Sequence, residues 1–348
     1  MAILTYNEQE KERLTVKLEN LLDRLPPFSK QYFTSIEYNK TFRTKVSYAI
    51  DLLNFFEYIQ DTKNEYKNKR VSSFTSEILD QITTAEIETY LSYLKSYSKN
   101  GIERGNRENS IKRKLSAIRS FYHYYKLNEK ISKNPSLRVS MPEIPFKSIV
   151  RLEKSEMIQM IRNVESGAEF KNMKLLRHNN LKSRNLALIM LMLGTGIRVS
   201  ECVGLDINDI DFDNDCINII RKGGSEAKVY FGDEVKEVLL EYLSDRNGKI
   251  PMAAHEHALF LSEQRKRLCV RSVEKIVLKY ALPVAPLKKI TPHKLRSTYG
   301  TNLYQETKDI YLVADILGHK DVNTARDHYC AIIEENKKDV RNSVKLKS

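Results

Sequence analysis

Residues 291–296 read Thr-Pro-His-Lys-Leu-Arg and open a predicted helix over 292–306. Proline is favoured in the first turn of a helix, because its missing N–H would have no partner there. His293 and Arg296 are three residues apart, so they lie on one face of that helix, a single turn from each other. The stretch therefore predicts a titratable group and a fixed cation side by side at a helix start.

Two further helices are predicted to end at glycines. The apolar helix 183–193 runs into Gly-Thr-Gly-Ile, and Arg198 follows directly, with Glu201 three residues on and able to pair with it. A helix over 309–317 ends at Leu-Gly-His, which places His319 just beyond its glycine, and Tyr329 follows ten residues later. Each of these side chains stands where packing alone would not require it.

A β-hairpin is predicted between these helices. Strands over 215–221 and 227–231 flank Gly-Gly-Ser at 223–225, a typical turn sequence. Lys222 lies at the end of the first strand, and Lys228 lies on the opposite strand. The other predicted helices cover 8–24, 46–56, 87–94, 108–127, 154–164, 233–245, 270–281, 321–330 and 334–344. The chain is therefore expected to be mainly α-helical, with one small sheet in its second half.

Length and charge bound the function. A chain of 348 residues predicts two domains, and its net charge of +13 favours a polyanionic partner. The longest apolar run, 186–193, is too short to span a membrane, and residues 1–8 do not resemble a secretory signal, so a cytoplasmic location is expected. Four cysteines without a close pair predict buried or half-buried thiols, not disulfides or a zinc site.

The positive charge is concentrated between residues 99 and 147, where Lys and Arg outnumber Asp and Glu by eight. Within this segment Lys112, Arg119 and Lys126 follow each other at seven-residue intervals on one predicted helix. A solvated helix face is the ordinary interpretation, and DNA contact is the favoured one. The prolines at 142 and 145 indicate an extended connector. We expect a first domain over 1–135, a linker over 136–152 and a second domain over 153–348.

Several other sites can be set aside. The sequence has no GxxxxGK[ST] nucleotide loop and no GxGxxG. Asp209, Asp211 and Asp213 resemble the start of a calcium loop but lack its glycine and its closing glutamate, so a solvated turn is expected there. His255 and His257 have no third ligand in the sequence nearby. No metal and no cofactor are expected.

The remaining residues suit phosphodiester chemistry. Two arginines offer planar forks of donors to the non-bridging oxygens of a phosphate, which supplies charge that a metal would otherwise provide. Histidines can move protons, a tyrosine can attack phosphorus, and a lysine can protonate a leaving oxygen. A covalent phosphotyrosine would conserve the bond energy, which agrees with the missing nucleotide loop.

Arg198, His293-Lys294-Leu295-Arg296, Leu317-Gly318-His319 and Tyr329, in this order, resemble the signature of the tyrosine recombinases of the phage integrase family. The resemblance implies a C-shaped clamp of two domains, a helical SAM-like core-binding domain and a mixed α+β catalytic domain with a small antiparallel sheet. It implies that Arg198 and Arg296 bind phosphate, that His293 and His319 assist, and that Tyr329 is the nucleophile. Lys222 matches the general acid, with Lys228 as the alternative, and Glu201 matches the acidic residue that supports the first arginine.

The resemblance also implies a homotetramer on two DNA duplexes with paired inverted-repeat sites, acting either in Xer-type chromosome dimer resolution or in the movement of a mobile element. The interval from His319 to Tyr329 is one residue longer than is common in the family, which would place His328 in the usual position. Two other functions stay open at this point: a type IB topoisomerase that relaxes supercoils, and a sequence-specific DNA-binding protein that does not cleave.

Overall fold

The fold is mainly helical, in agreement with the sequence. The computed structural model describes residues 6–99, 101–144, 149–221 and 224–318, in which fourteen α-helices and five short strands are found. The chain divides into two compact units, residues 1–146 and residues 147–348. This division falls inside the predicted linker, while the exact domain limits given above remain a prediction.

The first unit is a helical bundle. Its elements are α1 (Tyr6–Leu22), α2 (Ser29–Ser35), α3 (Phe42–Thr62), α4 (Ile78–Gln81), α5 (Thr84–Tyr93), β1 (Tyr97–Lys99), β2 (Ile102–Arg104) and α6 (Glu108–Leu127). The apolar stripe predicted for α6 is buried, and Leu115, Ile118 and Tyr122 are among its fully enclosed side chains. These pack with aromatic rings of α3, such as Phe56, into one core.

The second unit surrounds one buried helix. Its elements are α7 (Lys154–Ser166), α8 (Met173–Asn179), α9 (Lys182–Thr195), α10 (Val199–Gly204), β3 (Ile210–Asp211), β4 (Cys216–Ile220), β5 (Glu226–Tyr230), α11 (Asp233–Asn247), α12 (Val270–Ala281), α13 (Pro292–Thr307) and α14 (Ile310–Leu317). Helix α9 is apolar on most of its surface and packs against α7, α11 and α13. Its burial fixes the position of the glycine turn at its C-terminal end.

The sheet of the second unit has three antiparallel strands in the order β3-β4-β5. The predicted hairpin is β4-β5, with Asn218 opposite Lys228. The expectation of a solvated turn at Asp209–Asp213 was partly wrong, because Ile210 and Asp211 pair with β4. The turn begins only at Asp211, whose side chain accepts the N–H groups of Asp213 and Asn214.

A second correction concerns the cysteines. Cys202 and Cys216 are buried as expected, but Cys269 is exposed at the start of α12. Its backbone precedes the first helical turn, so its side chain does not enter the core. Cys330 and the helices predicted over 321–330 and 334–344 lie outside the described residues. In the described part of the chain, no helix is both long and apolar enough to cross a membrane.

Candidate active site

Arg198 leaves the end of the buried helix α9 at a sharp turn. Gly196 has φ +62°, a left-handed conformation that ends helices and that glycine adopts without strain. The backbone N–H of Arg198 donates to Oε2 of Glu201 at 2.9 Å, and its Nη1 donates to Oε1 of the same carboxylate at 2.9 Å. The Glu201 side chain is only 7% exposed. The structure thus brings these two residues together, and the carboxylate fixes the direction of the guanidinium.

Arg296 lies one turn inside α13, which begins at Pro292 as predicted. Its side chain is buried, and its two terminal nitrogens donate to two different glycine turns: Nη1 to the carbonyl of Gly196 at 2.7 Å, and Nη2 to the carbonyl of Leu317. His293, three residues earlier on α13, is exposed, and its backbone carbonyl accepts the Ser297 hydroxyl at 3.1 Å. Arg296 therefore joins the ends of α9 and α14.

The C-terminal end of α14 is where the cations meet. The helix stops at Gly318, which has φ +60°. Nη2 of Arg198 donates to the Gly318 carbonyl at 2.9 Å, next to the Leu317 carbonyl that Arg296 occupies. The last carbonyls of a helix lack intrahelical partners and carry the negative end of its dipole. Arg198 and Arg296 are thereby held at consecutive residues of one turn.

A third arginine at this turn was missed by the sequence analysis. Arg221 follows β4, and its Nη1 and Nη2 donate to the carbonyls of Asp315 at 3.2 Å and Ile316 at 2.8 Å. The four carbonyls from 315 to 318 are therefore shared among three arginines. The available signal was its position directly before the candidate acid Lys222, but nothing in the local sequence indicated its partners.

Three predicted site residues, Lys222, His319 and Tyr329, lie outside the described residues, as does His328. Lys228 is exposed on β5. In the described ranges, no group of three or more His, Cys, Asp or Glu side chains is arranged to hold a metal ion. The described residues include the two phosphate-binding candidates, their acidic partner and His293.

The predicted basic stripe lies on α6 in the first unit. Lys112 is exposed, and Nζ of Lys126 donates to the Ser132 carbonyl at 3.0 Å. Arg119 is half-buried, because its Nε donates to the Ser136 carbonyl at 3.1 Å and its Nη2 to that of Val139. Arg119 and Lys126 thus both donate to carbonyls of the segment that follows α6, and Lys112 and Lys126 are exposed.

The arrangement suits the binding of a tetrahedral anion. Each guanidinium carries five N–H donors in a planar fork, and the contacts above use both terminal nitrogens of Arg198 and both of Arg296. Backbone carbonyls hold both positive charges in place, where they can stabilise a phosphodiester, and the guanidinium of Arg198, whose side chain is 32% exposed, can offer donors to its oxygens. Burial raises the pKa of the Tyr299 phenol, which lies beneath Gly196 and stays protonated at neutral pH. Tyr299 is therefore a packing residue of this site.

Two family descriptions match the chain. Residues 151–335 match the phage integrase family, and residues 30–129 match the phage integrase N-terminal SAM-like domain. Among similar proteins of known name are two tyrosine recombinases XerS. That of Streptococcus gordonii is 29% identical and aligns over 96% of this chain and 99% of its own length. That of Streptococcus mutans is also 29% identical, over 94% and 98%.

Solved structures share the fold. The XerH site-specific recombinase bound to a palindromic difH substrate, in a post-cleavage complex, superposes with a TM-score of 0.62 at 21% identity, over 87% of this chain and 81% of that one. The Tn1549 transposon integrase (residues 82–397), in complex with circular intermediate DNA, has a TM-score of 0.63 at 18% identity, over 86% and 94%.

Proposed function

Since the chain belongs to the phage integrase family of tyrosine recombinases, we propose that it is a site-specific DNA recombinase that cuts and rejoins duplex DNA through a 3′-phosphotyrosine intermediate. The observation that carries the proposal is the convergence of Arg198 and Arg296 on consecutive carbonyls at the end of α14. Two cations fixed at one turn can stabilise the negative charge that develops on the non-bridging oxygens of a phosphodiester during cleavage.

The reaction begins when the two arginines hold the scissile phosphate. The phenolic oxygen of Tyr329 attacks phosphorus and forms the tyrosyl phosphate ester, while the bond to the 5′ oxygen breaks. Lys222 gives a proton to that leaving oxygen, and His293 and His319 assist in removing the phenol proton and in contacting the phosphate. The 5′ hydroxyl of the partner duplex then attacks the phosphotyrosine, which restores the phosphodiester and releases Tyr329.

Glu201 serves this reaction through Arg198. Its carboxylate accepts one side-chain and one backbone donor of Arg198, so the guanidinium is oriented before DNA arrives. Charge-assisted hydrogen bonds of this kind are short and directional. Preorganisation lowers the barrier because the site need not rearrange as the phosphate oxygens gain charge.

The experiment that tests the function measures a covalent adduct. The protein is incubated with a nicked suicide substrate that carries its recombination site, and SDS-resistant protein–DNA complexes are counted. Tyr329→Phe abolishes the adduct while DNA binding persists. Tyr311→Phe is the matched control, because Tyr311 lies on α14 and is 71% exposed. An adduct that still forms with Tyr329→Phe would show that another residue is the nucleophile. If the unaltered protein does not cleave the substrate, the function is reduced to DNA binding without cleavage.

The proposed division of labour gives residues 1–135 to DNA binding and residues 153–348 to catalysis, joined by 136–152. Lys112 and Lys126 are proposed to contact phosphates, because both are exposed on one helix within the basic segment. Each Lys→Ala change then lowers the slope of log affinity against log salt by about 0.9. Lys17→Ala, which removes an exposed lysine of α1, leaves that slope unchanged.

The proposed substrate is a pair of inverted-repeat DNA sites bound by four copies of this chain, and the proposed location is the cytoplasm, where such DNA lies. Xer-type resolution of chromosome dimers is favoured over element movement, since relatives of nearly equal length are tyrosine recombinases XerS. Recombination between two sites on one plasmid, assayed with the inverted repeat nearest the gene, tests the role. Activity only on the ends of a mobile element would contradict it.

A further inference from the structure

We propose that Arg221 is a positioning residue for strand cleavage, which fastens the β4-β5 hairpin to the C-terminal end of α14. The inference rests on the proposed function, because that function places the general acid on this hairpin. Arg221 itself need not touch DNA. Its effect is to keep the proton donor at a fixed distance from the two phosphate-binding arginines.

The main chain of Arg221 belongs to the hairpin. Its N–H donates to the Ser225 carbonyl at 2.8 Å, and its own carbonyl accepts the N–H of Gly224 at 3.0 Å. Lys222 is the next residue in the sequence, so its backbone is covalently tied to an anchored position. Lys228 stands on the other strand of the same hairpin. Whichever lysine gives the proton, Arg221 lies at the turn of the hairpin that carries it.

The side chain of Arg221 belongs to α14. It donates to the carbonyls of Asp315 and Ile316, which are 94 and 95 residues away in the sequence. Its Nε is buried and has no hydrogen-bond partner among the described residues. Burying a donor without a partner costs free energy. The guanidinium accepts this cost at Nε and keeps its two contacts with the carbonyls of α14.

Gly318 makes this approach possible. A Cβ atom at residue 318 would lie 2.0 Å from Nη1 and 2.5 Å from Cζ of Arg221, far inside contact distance. The Cα of Gly318 is therefore covered by Arg221, while its carbonyl accepts Arg198. The same residue thus contacts the hairpin arginine on one side and a phosphate-binding arginine on the other. The hairpin and the phosphate site are therefore both held against Gly318.

A purely structural role is the competing explanation, since an arginine at a helix C-terminus stabilises the helix through its dipole. The two explanations differ in which step of the reaction is slowed. Loss of a helix cap slows every step that needs the fold, whereas loss of hairpin position slows the step that needs the acid. The leaving group separates them, because a 5′ thiolate is a far weaker base than a 5′ alkoxide and departs without a proton.

The experiment compares cleavage of an ordinary suicide substrate with cleavage of one that has sulfur in place of the 5′ bridging oxygen. Arg221→Ala is expected to slow cleavage of the oxygen substrate by about 10- to 100-fold, part of the 10²–10⁴ that general acid catalysis contributes. On the sulfur substrate the variant cleaves at the unaltered protein's rate. Arg221→Lys keeps the positive charge but donates from a single nitrogen. Its cleavage defect is therefore smaller and is again present only on the oxygen substrate. This variant takes the place of Arg221→Ala if the alanine variant misfolds.

Arg246→Ala is the matched control. Arg246 is a buried arginine of the same unit that donates to the carbonyls of Ala258 at 3.0 Å and Glu256 at 2.7 Å, as Arg221 does to α14. Its loss lowers stability, and it changes cleavage of both substrates by the same factor. An Arg221→Ala defect that is equal on oxygen and sulfur, or no defect on either, overturns the proposal.

Lys222→Ala and Lys228→Ala test the acid assignment separately. The variant whose oxygen-substrate defect disappears with sulfur lacks the acid. If neither is rescued while Arg221→Ala is, the acid lies outside the hairpin, and the proposal that Arg221 acts by holding the hairpin is overturned. If no protein cleaves either substrate, the recombinase function itself fails.

Discussion

Gly196→Ala is predicted to damage both the stability and the chemistry of the second unit. Gly196 has φ +62° and ψ 19°, and alanine pays about 1–2 kcal/mol to adopt this left-handed conformation. A Cβ there would lie 2.5 Å from Cδ1 of Tyr299 and 2.9 Å from Cδ2 of Leu317. Crowding of this kind in a packed core costs about 1–3 kcal/mol.

The two costs together give a loss of about 2–5 kcal/mol in the free energy of unfolding. In a unit of this size each kcal/mol lowers Tm by about 2–4 °C. The relief of the clash moves the carbonyl of Gly196, which accepts Arg296, and the chain that leads to Arg198. We therefore expect cleavage of a suicide substrate to slow even at temperatures where the variant is fully folded.

Gly167→Ala is the matched control for this prediction. Gly167 ends α7 with the same φ of 62° and ψ of 19°, and a Cβ there would lie 2.4 Å from the His178 ring. It is therefore expected to lose similar stability, but it ends α7 and does not precede Arg198 in the chain. Gly101→Ala, with φ +71° and nothing within 4 Å, measures the backbone cost alone.

The measurements are thermal or denaturant unfolding and the rate of covalent adduct formation well below the lower Tm. Equal stability of Gly196→Ala and the unaltered protein would refute the packing argument. Equal loss of stability and equal cleavage rates for Gly196→Ala and Gly167→Ala would refute the claim that this turn positions the arginines.

Three further predictions concern other contacts of the described residues. Glu201→Gln removes the charge that two donors of Arg198 share, so it lowers stability by about 1.5–3 kcal/mol and slows adduct formation; unchanged cleavage would show that Arg198 needs no acidic partner. Burial lowers the pKa of His178 below its usual 6.5, with nearby Lys279 and Lys182 adding to the effect, so stability is full above that pH and is lost as pH falls through the lowered pKa. The fall in Tm toward acid should be shallower in His178→Gln, and parallel curves would contradict this. Asp51→Ala leaves the buried ammonium of Lys114 without its carboxylate, which costs about 3–5 kcal/mol in the first unit, and a stability within error of the unaltered protein would show that Lys114 finds water instead.

Sequence reasoning succeeded where local pattern determines structure. Helix α6 was predicted over 108–127 and has those bounds, because its apolar stripe and basic face repeat with the helical period. Helix α13 begins at Pro292, since proline is tolerated only in the first turn. The strands of the hairpin lie within one residue of their expected limits, because the glycines between them mark the turn.

The same reasoning missed short or polar elements. Helices α2 and α4 have only seven and four residues, too few for a period to be recognised. The β1-β2 hairpin has an exposed second strand, so no alternation of apolar and polar residues signals it. The third strand of the sheet, β3, has only two residues.

The sequence predicted the side chains of the active site but not the backbone carbonyls that hold them. Arg198, Glu201 and Arg296 were recognisable as motif residues, and the contact of Glu201 with Arg198 spans only three positions. That the arginines rest on the end of α14 could not be anticipated, because main-chain carbonyls have no sequence signature. Arg221 was overlooked for this reason.

The left-handed turn at Gly318 supports the phosphate site. Its carbonyl holds Arg198, and its Cα lies against Arg221. The proposed nucleophile follows Gly318 by eleven residues in the sequence, so the chain that leads to it begins at a residue that also holds a phosphate-binding arginine. A displacement of the Gly318 peptide unit moves the acceptor of Arg198, so the position of this guanidinium depends in part on a single backbone carbonyl.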